Sequence, residues 1–376
     1  MNKKYRFHIC HLTSVHPRND SRIFHKMCKS LASKNVKITL VVADGKGNEV
    51  VDNVEIIDIG APAGRLKRIT QTTSEIFNKA KELNADVFHL HDPELLLIAK
   101  KLKKLNKKVI FDSHEDTVNT ILVSPYLKFP VSNIISTLYE KFERYTCKRI
   151  DGVIGATPHI ENYFKKFARQ TENINNYPIL SDKKPEQISW DQKKQNEVCY
   201  VGSIDDTRGI KDLMDSLALT KSQVRLNLAG MYSSPTLEEK IKLHQEYHLV
   251  NDFGYVNSEE VENIYNRSLA GVVTLHPIPT FLVSLPIKMF EYMVAGIPFI
   301  ASDFPYWRNL LKGSECCIFV DPQKPMEIAD AIDYFILNRE KAKQMGEVGR
   351  KLVYENFSWE SQSEKLLTFY QKVLSN

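Results

Sequence analysis

Cysteine is scarce and unpatterned: Cys10, Cys28, Cys147, Cys199, Cys316 and Cys317 stand in 376 residues. No Cys-x-x-Cys pair and no regular spacing occurs, which argues against a zinc ribbon or a disulfide framework. Reduced thiols in a cytoplasmic compartment are the expectation. No apolar run approaches the ~18 residues that a membrane-spanning helix needs. The opening stretch MNKKYRFHICHLTSVHPRND has a basic tip but only a short apolar run, and reads as a first strand rather than a leader. No Gly-x-Gly-x-x-Gly follows that strand, and there is no Walker loop, Gly-x-Ser-x-Gly elbow or His-Glu-x-x-His. Ordinary dinucleotide, P-loop, serine-hydrolase and zinc-protease readings are therefore excluded. Neither an internal repeat nor a low-complexity segment is visible.

What is present is the composition of a folded soluble protein, 43% hydrophobic and 26% charged. The length exceeds one ordinary core and implies two domains. The net charge of +5 is unevenly spread. Residues 1–178 hold 29 Lys+Arg and 19 Asp+Glu, a balance of +10, which leaves 22 and 27, or −5, for residues 179–376. A basic half suits an anionic partner: nucleic acid, a membrane surface or a phosphorylated acceptor. A lysine-rich surface kept for solubility is the plainer alternative.

Short apolar runs alternate with helical spacing throughout. Strands are expected at 6–13, 36–44, 54–60, 86–92, 107–116 and 151–157, and helices at 23–35, 69–84, 93–106 and 132–150. This is a doubly wound α/β pattern. Residues 178–195 are polar and proline-bearing, and read as a linker. The pattern restarts with EVCYVGSID at 197–205. It continues through a helix TLEEKIKLHQEYHLV, a strand DFGYV and a helix PIKMFEYMVAG to two late helices and an amphipathic tail at 359–374. Ligands of such sheets bind at the carboxyl ends of the strands, so two facing sheets should enclose a cleft.

Polar residues cluster at those ends: His16, Arg18, Asp20 and Arg22; His91, Asp92 and Glu94; Asp112, His114, Glu115 and Asp116; Gly202, Ser203, Arg208 and Gly209; Ser284, Lys288 and Glu291. Asp92 before Pro93 reads as a helix N-cap. Neighbouring strands could gather His89, His91 and His114, but no metal-ligand spacing accompanies them. Lys288 falls in the first turn of a helix, and with Arg208 it would cradle a diphosphate. Glu291, one turn on, would suit ribose hydroxyls. A surface Lys288–Glu291 ion pair accounts for the same residues.

SLPIKMFEYMVAGIPFIASD resembles the donor-site segment of glycosyltransferase family 4, whose members have the GT-B fold. HPRNDSRIFHKMCKSLA, HDPELL…DSHED, YVGSIDDTRG and FVDP…MGEVGRKLVYENFSWES resemble other blocks of that family, in order along the chain. The resemblance implies an α/β protein of two Rossmann-like doubly wound parallel-sheet domains facing a cleft. They would comprise residues 1–178, with a C-terminal crossover helix at 355–376, and residues 179–354. It implies a glycosyltransferase moving a sugar from a nucleotide diphosphate sugar, a UDP-sugar, with retention and without a metal or other cofactor. The acceptor would be a glycan or a lipid-linked intermediate of polysaccharide or O-antigen assembly, with peripheral contact at the inner membrane face and no nucleic acid partner.

Carried over by position, Glu291 would bind ribose and Arg208 the diphosphate, in a donor site with Gly202, Ser203, Ser284 and Lys288. Tyr255 and Val256 would flank the base. His114 would lie near the donor sugar and act with Arg208 and Lys288 in catalysis, while Arg18, Asp20, Arg22 and Glu115 would face the acceptor. Two departures stand out: Val283 occupies the place of the first glutamate of the family's E-x7-E signature, and Ser203 that of an arginine. A nucleotide-sugar epimerase of similar architecture and a catalytically silent sugar-nucleotide-binding protein remain alternatives.

Overall fold

The computed structural model describes residues 5–123, 127, 129–180, 190 and 193–376. The chain divides into two compact units, residues 1–176 with 359–376 and residues 177–358. Most of the expected 178–195 linker lies outside the described residues. Each unit is an open, twisted sheet flanked by helices, as the alternation of apolar runs and helical spacing implies.

The first unit contains β1 (His8–Leu12), β2 (Lys37–Val42), β3 (Glu49–Val51), β4 (Val54–Asp58), β5 (Val87–Leu90), β6 (Lys108–Ser113), β7 (Gly152–Gly155) and β8 (Thr171–Asn173). Their order is β3-β4-β2-β1-β5-β6-β7-β8. All neighbours are parallel except β3, which pairs antiparallel with β4. That hairpin was not expected. It turns at Asp52 and Asn53, both at positive φ (51° and 63°), which a tight hairpin turn requires and which Asx residues tolerate. The helix expected at 23–35 begins earlier, at Ser21–Cys28 in the wider π register, and continues as Lys29–Ala32. Asp20 sets that start, because its carboxylate accepts from the Arg22 and Ile23 backbone N–H groups. The C-terminal helix Trp359–Ser375 belongs to this unit: Trp359 Nε1 donates to Ser30 Oγ at 2.7 Å and Lys365 Nζ to the Asn173 carbonyl at 2.8 Å.

The second unit contains β9 (Glu197–Val201), β10 (Arg225–Ala229), β11 (Val250–Gly254), β12 (Ala270–Val273), β13 (Phe299–Ser302) and β14 (Cys317–Val320), in the order β11-β10-β9-β12-β13-β14. Both faces of the sheet are covered, so its inner strands β12 and β13 are nearly all apolar, whereas the edge strand β11 carries Asn251 and Asp252. The period-two alternation shows along β9: Val198 and Tyr200 enter one core with Leu226, Val272 and Phe335, and Cys199 enters the other with Phe290, Tyr292 and Phe299. The TLEEKIKLHQEYHLV helix ends at Lys242, and a tighter turn, Gln245–Leu249, leads directly into β11. The strand expected from Asp252 therefore starts two residues earlier. All six cysteines are free. No helix among the described residues is long and apolar enough to cross a membrane.

Candidate functional site

In the second unit the strand order switches at β9. Its neighbours are β10 on one side and β12 on the other, and the chain winds outward from both. A crevice therefore opens at the carboxyl ends of β9 and β12, the place where open α/β sheets take ligands. The residues that follow each strand line it. After β9 come Gly202, Ser203 and the turn Asp206–Arg208; after β12 come Thr274 and, further on, the helix Ile287–Val294.

Gly209 lets the Arg208 turn settle onto β12. Its φ is +71°, and a Cβ there would lie 2.1 Å from the Thr274 carbonyl oxygen. The turn is tied down further by the His276 N–H donating to the Thr207 carbonyl at 2.9 Å. The Arg208 guanidinium stands 5.6 Å from the centroid of the Phe281 ring.

Lys288 reaches the same crevice from the first turn of its helix, whose free N–H groups add partial positive charge. The side chain is 6% exposed and its Nζ has no hydrogen-bond partner among the described residues. The ammonium sits 3.5 Å above the centre of the Tyr200 ring. Burial pushes its pKa well below the usual lysine value; Arg208 adds to the fall and Glu291 offsets part of it. The geometry is that of a cation held out of water beside a second cation, a charge that a dianionic ligand would complete. Glu291, half-buried, accepts from the Tyr265 hydroxyl at 3.0 Å, which fixes its carboxylate and leaves acceptor capacity on it.

The structure thus brings Gly202, Arg208, Lys288 and Glu291 to one place, with Ser203 exposed at its rim. Ser284 plays a structural part: its hydroxyl donates to the Phe281 carbonyl and its carbonyl accepts from Trp307 Nε1. Tyr255 is highly exposed, and with Gly230, Tyr232, Asp252 and Gly254 it lines a cavity of about 560 Å³; half-buried Val256 follows it. Tyr200 and Tyr265, which hold Lys288 and Glu291, were not among the expected residues. The signal for Tyr200 was its place near the end of β9, two residues before Gly202.

The first unit has its own switch point, between β1 and β5. Here five histidines gather. His11 Nδ1 lies 2.9 Å from His91 Nε2, and His91 Nδ1 lies 3.2 Å from His114 Nε2. His89 Nδ1 meets the Tyr370 hydroxyl at 2.6 Å, and His16 Nδ1 lies 3.1 Å from Asp20. Asp112, fully buried, accepts from Arg22 Nε at 3.0 Å and Nη2 at 2.8 Å, and stands 3.2 Å from His114 Nε2. Burial alone would raise the Asp112 carboxyl, but Arg22, His114 and His91 together hold it well below the carboxylate range. Burial pushes His91 down to about 4 against the pull of Asp112, and drives His11 and His89 lower as well. His11 and His91 are therefore neutral and bond as imidazoles, in a chain that ends at half-buried His114, while His89 is tied to Tyr370 instead.

Two groups, His11 with His89 and His91, and His91 with Asp112 and His114, place one ligand atom each within 4.8 Å of the others. A metal ion held by His91 Nδ1 and His114 Nε2 would have to break the bond between those atoms.

One expectation is corrected by these contacts, and three further residues are found with partners inside the unit. Asp92 stands at the N-cap position but makes no cap bond; its carboxylate accepts instead from Thr13 Oγ1 at 2.8 Å and the Ser14 N–H at 2.6 Å. The helix is started without it by Pro93, whose φ is pre-set. Arg18, Asp20 and Arg22 each hold partners within the first unit. Arg18 spends its guanidinium on Asp44, Glu49 and the Gly47 carbonyl, Asp20 caps a helix and binds His16, and Arg22 is buried on Asp112 and the Ile174 carbonyl. Glu115 alone of that set is exposed.

Residues 21–175 match the family model Glycosyltransferase Family 4, and residues 182–352 match Glycosyl transferases group 1. Among solved structures, sucrose-phosphate synthase from Thermosynechococcus elongatus aligns with a TM-score of 0.78 at 18% identity, over 98% of this chain and 100% of that one. Anabaena HepE in complex with UDP and glucose aligns with a TM-score of 0.72 at 15% identity, over 97% and 100%. These likenesses show the fold, GT-B. An uncharacterized glycosyltransferase of Methanocaldococcus jannaschii is 24% identical over 198 residues, 49% of this chain and 50% of that protein. The chain thus spans about half the length of that curated relative. One glycosyltransferase family model falls on each of the chain's two units, and together they support a glycosyltransferase of the family-4 type.

Proposed function

We propose that the protein transfers a sugar from a UDP-sugar to a glycan or lipid-linked acceptor, with retention, in polysaccharide assembly at the inner face of a membrane. The observation that carries the donor half is the buried Lys288 ammonium, without a hydrogen-bond partner among the described residues and beside Arg208 at a switch-point crevice. Two phosphates would supply its missing partners. In the reaction the bond from the anomeric carbon to the diphosphate oxygen breaks, and negative charge grows on the leaving diphosphate. Arg208, Lys288 and the N–H groups of the Ile287–Val294 helix would meet that charge without reorganisation. Glu291 would accept from the ribose hydroxyls, Tyr255 and Val256 would flank the base, and His114 would orient the sugar. On this reading no metal is needed, an expectation that rests on likeness to the family. The UDP and glucose bound by HepE support the choice of nucleotide.

A panel of UDP-, GDP- and ADP-sugars scored by thermal shift tests the donor. A UDP-sugar should raise the melting temperature, and Arg208→Ala should lower donor turnover about 100- to 1,000-fold. Wild-type turnover in that variant would overturn the assignment. One observation favours a second reading, a silent sugar-nucleotide-binding protein: Val283, in the place of the family's first glutamate, has no group to bond a sugar hydroxyl. In that case UDP-sugar would bind, with neither transfer nor hydrolysis in any acceptor mixture.

A further inference from the structure

The helix Val131–Cys147 is inverted over its first half. Its buried residues are Ser132, Ser136, Glu143, Thr146 and Cys147. Ser136 faces inward, and its hydroxyl donates to the Val118 carbonyl in the neighbouring helix Thr117–Leu122. The large apolar residues Val131, Ile134, Ile135 and Leu138 follow i, i+3, i+4, i+7 spacing, the stripe that a helix of a water-soluble protein ordinarily turns inward. Here that stripe faces solvent, with Ile134 57% and Leu138 62% exposed. Phe129, 81% exposed, together with Leu122 and Val123, widens it into a patch. A patch of this kind marks a partner or a membrane.

The charges select between those. Further along the helix and just beyond it come Lys141, Arg144, Tyr145, Lys148 and Arg149, all exposed. The Arg149 guanidinium lies 3.6 Å from the centre of the Tyr145 ring, and Arg144 bonds to Glu140. A second copy docked on this helix would set these cations against each other or against the apolar stripe. An anionic bilayer satisfies both parts, with apolar side chains entering the acyl boundary while lysine, arginine and tyrosine remain among the headgroups.

We propose that this face of the first unit docks on an anionic lipid surface, with Phe129, Ile134 and Leu138 inserted and Lys141, Lys148 and Arg149 on the lipid phosphates. The proposal deepens the acceptor half of the reading above and takes its purpose from it, but its test does not use donor turnover. The full chain is floated with vesicles of phosphatidylcholine alone or mixed with phosphatidylglycerol, at low and high salt. The wild type should float with the mixed vesicles at low salt. The pair Ile134→Asp, Leu138→Asp should bind at least about tenfold more weakly, since two large apolar side chains lose their insertion. The pair Lys141→Glu, Lys148→Glu should lose the preference for anionic lipid. Both pairs should keep the wild-type melting temperature and UDP affinity by calorimetry, which separates a failure of docking from a failure of the donor site. No flotation at low salt, equal flotation of the aspartate pair, or a concentration-dependent dimer that the aspartate pair abolishes without any vesicle binding would each overturn the proposal.

Discussion

Replacing Lys288 by methionine should make the protein more stable and less able to bind its donor. The methionine keeps the unbranched stem and removes the ammonium. An uncompensated buried charge costs about 3–4 kcal/mol, and the contact with Tyr200 returns about 2 kcal/mol. The variant should therefore gain roughly 1–2 kcal/mol, which in a unit of this size raises the melting temperature by about 2–8 °C. The sign of its pH dependence follows from the depressed folded pKa. Below the unfolded value of 10.5 the unfolded chain holds the proton more tightly, so the penalty is present at neutral pH and fades as pH rises toward 10.5. The advantage of the methionine should shrink in step between pH 7 and pH 10. Loss of one charge-assisted bond to diphosphate should weaken UDP binding by roughly 1.5–3 kcal/mol, about ten- to 150-fold. Differential scanning calorimetry across pH and isothermal titration with UDP measure both. A lower melting temperature with unchanged UDP affinity would refute the reasoning, as would an advantage that grows with pH.

Glu143 is a second buried ionisable group, raised by burial to about 7 even though the Tyr139 hydroxyl donates to its carboxylate at 3.0 Å. The folded state therefore holds its proton more tightly than the unfolded state. Stability should fall as pH rises from about 4.5 through 7, by about 3 kcal/mol in all. Glu143→Gln should flatten the urea midpoint over that range; an unchanged slope would remove the assignment. Arg22→Met strands the Asp112 carboxylate and should cost about 3–5 kcal/mol. Adding Asp112→Asn should recover most of that loss in equilibrium unfolding, and no recovery would count against the ion pair as the cause.

The two-sheet architecture was legible because parallel strands covered on both faces read as short apolar runs, and the helices between them keep their own spacing. KITLVV and FIAS could hardly be anything but interior strands. The Asp52–Asn53 hairpin was legible in principle, from an Asx pair between valines, but its strand of three residues leaves almost no apolar signal. The destinations of Asp92, Arg18 and Arg22 were not legible. Each is fixed by strand order, which brings β1 beside β5 and Arg22 beside β6, and nothing within a local window encodes that order. The histidine chain is hidden for the same reason, since His11 and His91 are eighty residues apart. In the second unit, type and spacing identified Lys288 and Glu291 as unusual. Their burial and their tyrosine supports are tertiary facts.

The helix Trp359–Ser375 reaches the first unit only after the chain has traversed the second. Tyr370 closes over His89, and the Lys365 contact holds β8. During synthesis, then, the unit made first is the unit finished last. Until residue 375 has left the ribosome, the N-terminal unit lacks the helix that packs beside Ser30 and β8, while the second unit already has all its parts. A chain cut at residue 358 should therefore leave a folded second half attached to an unfinished first.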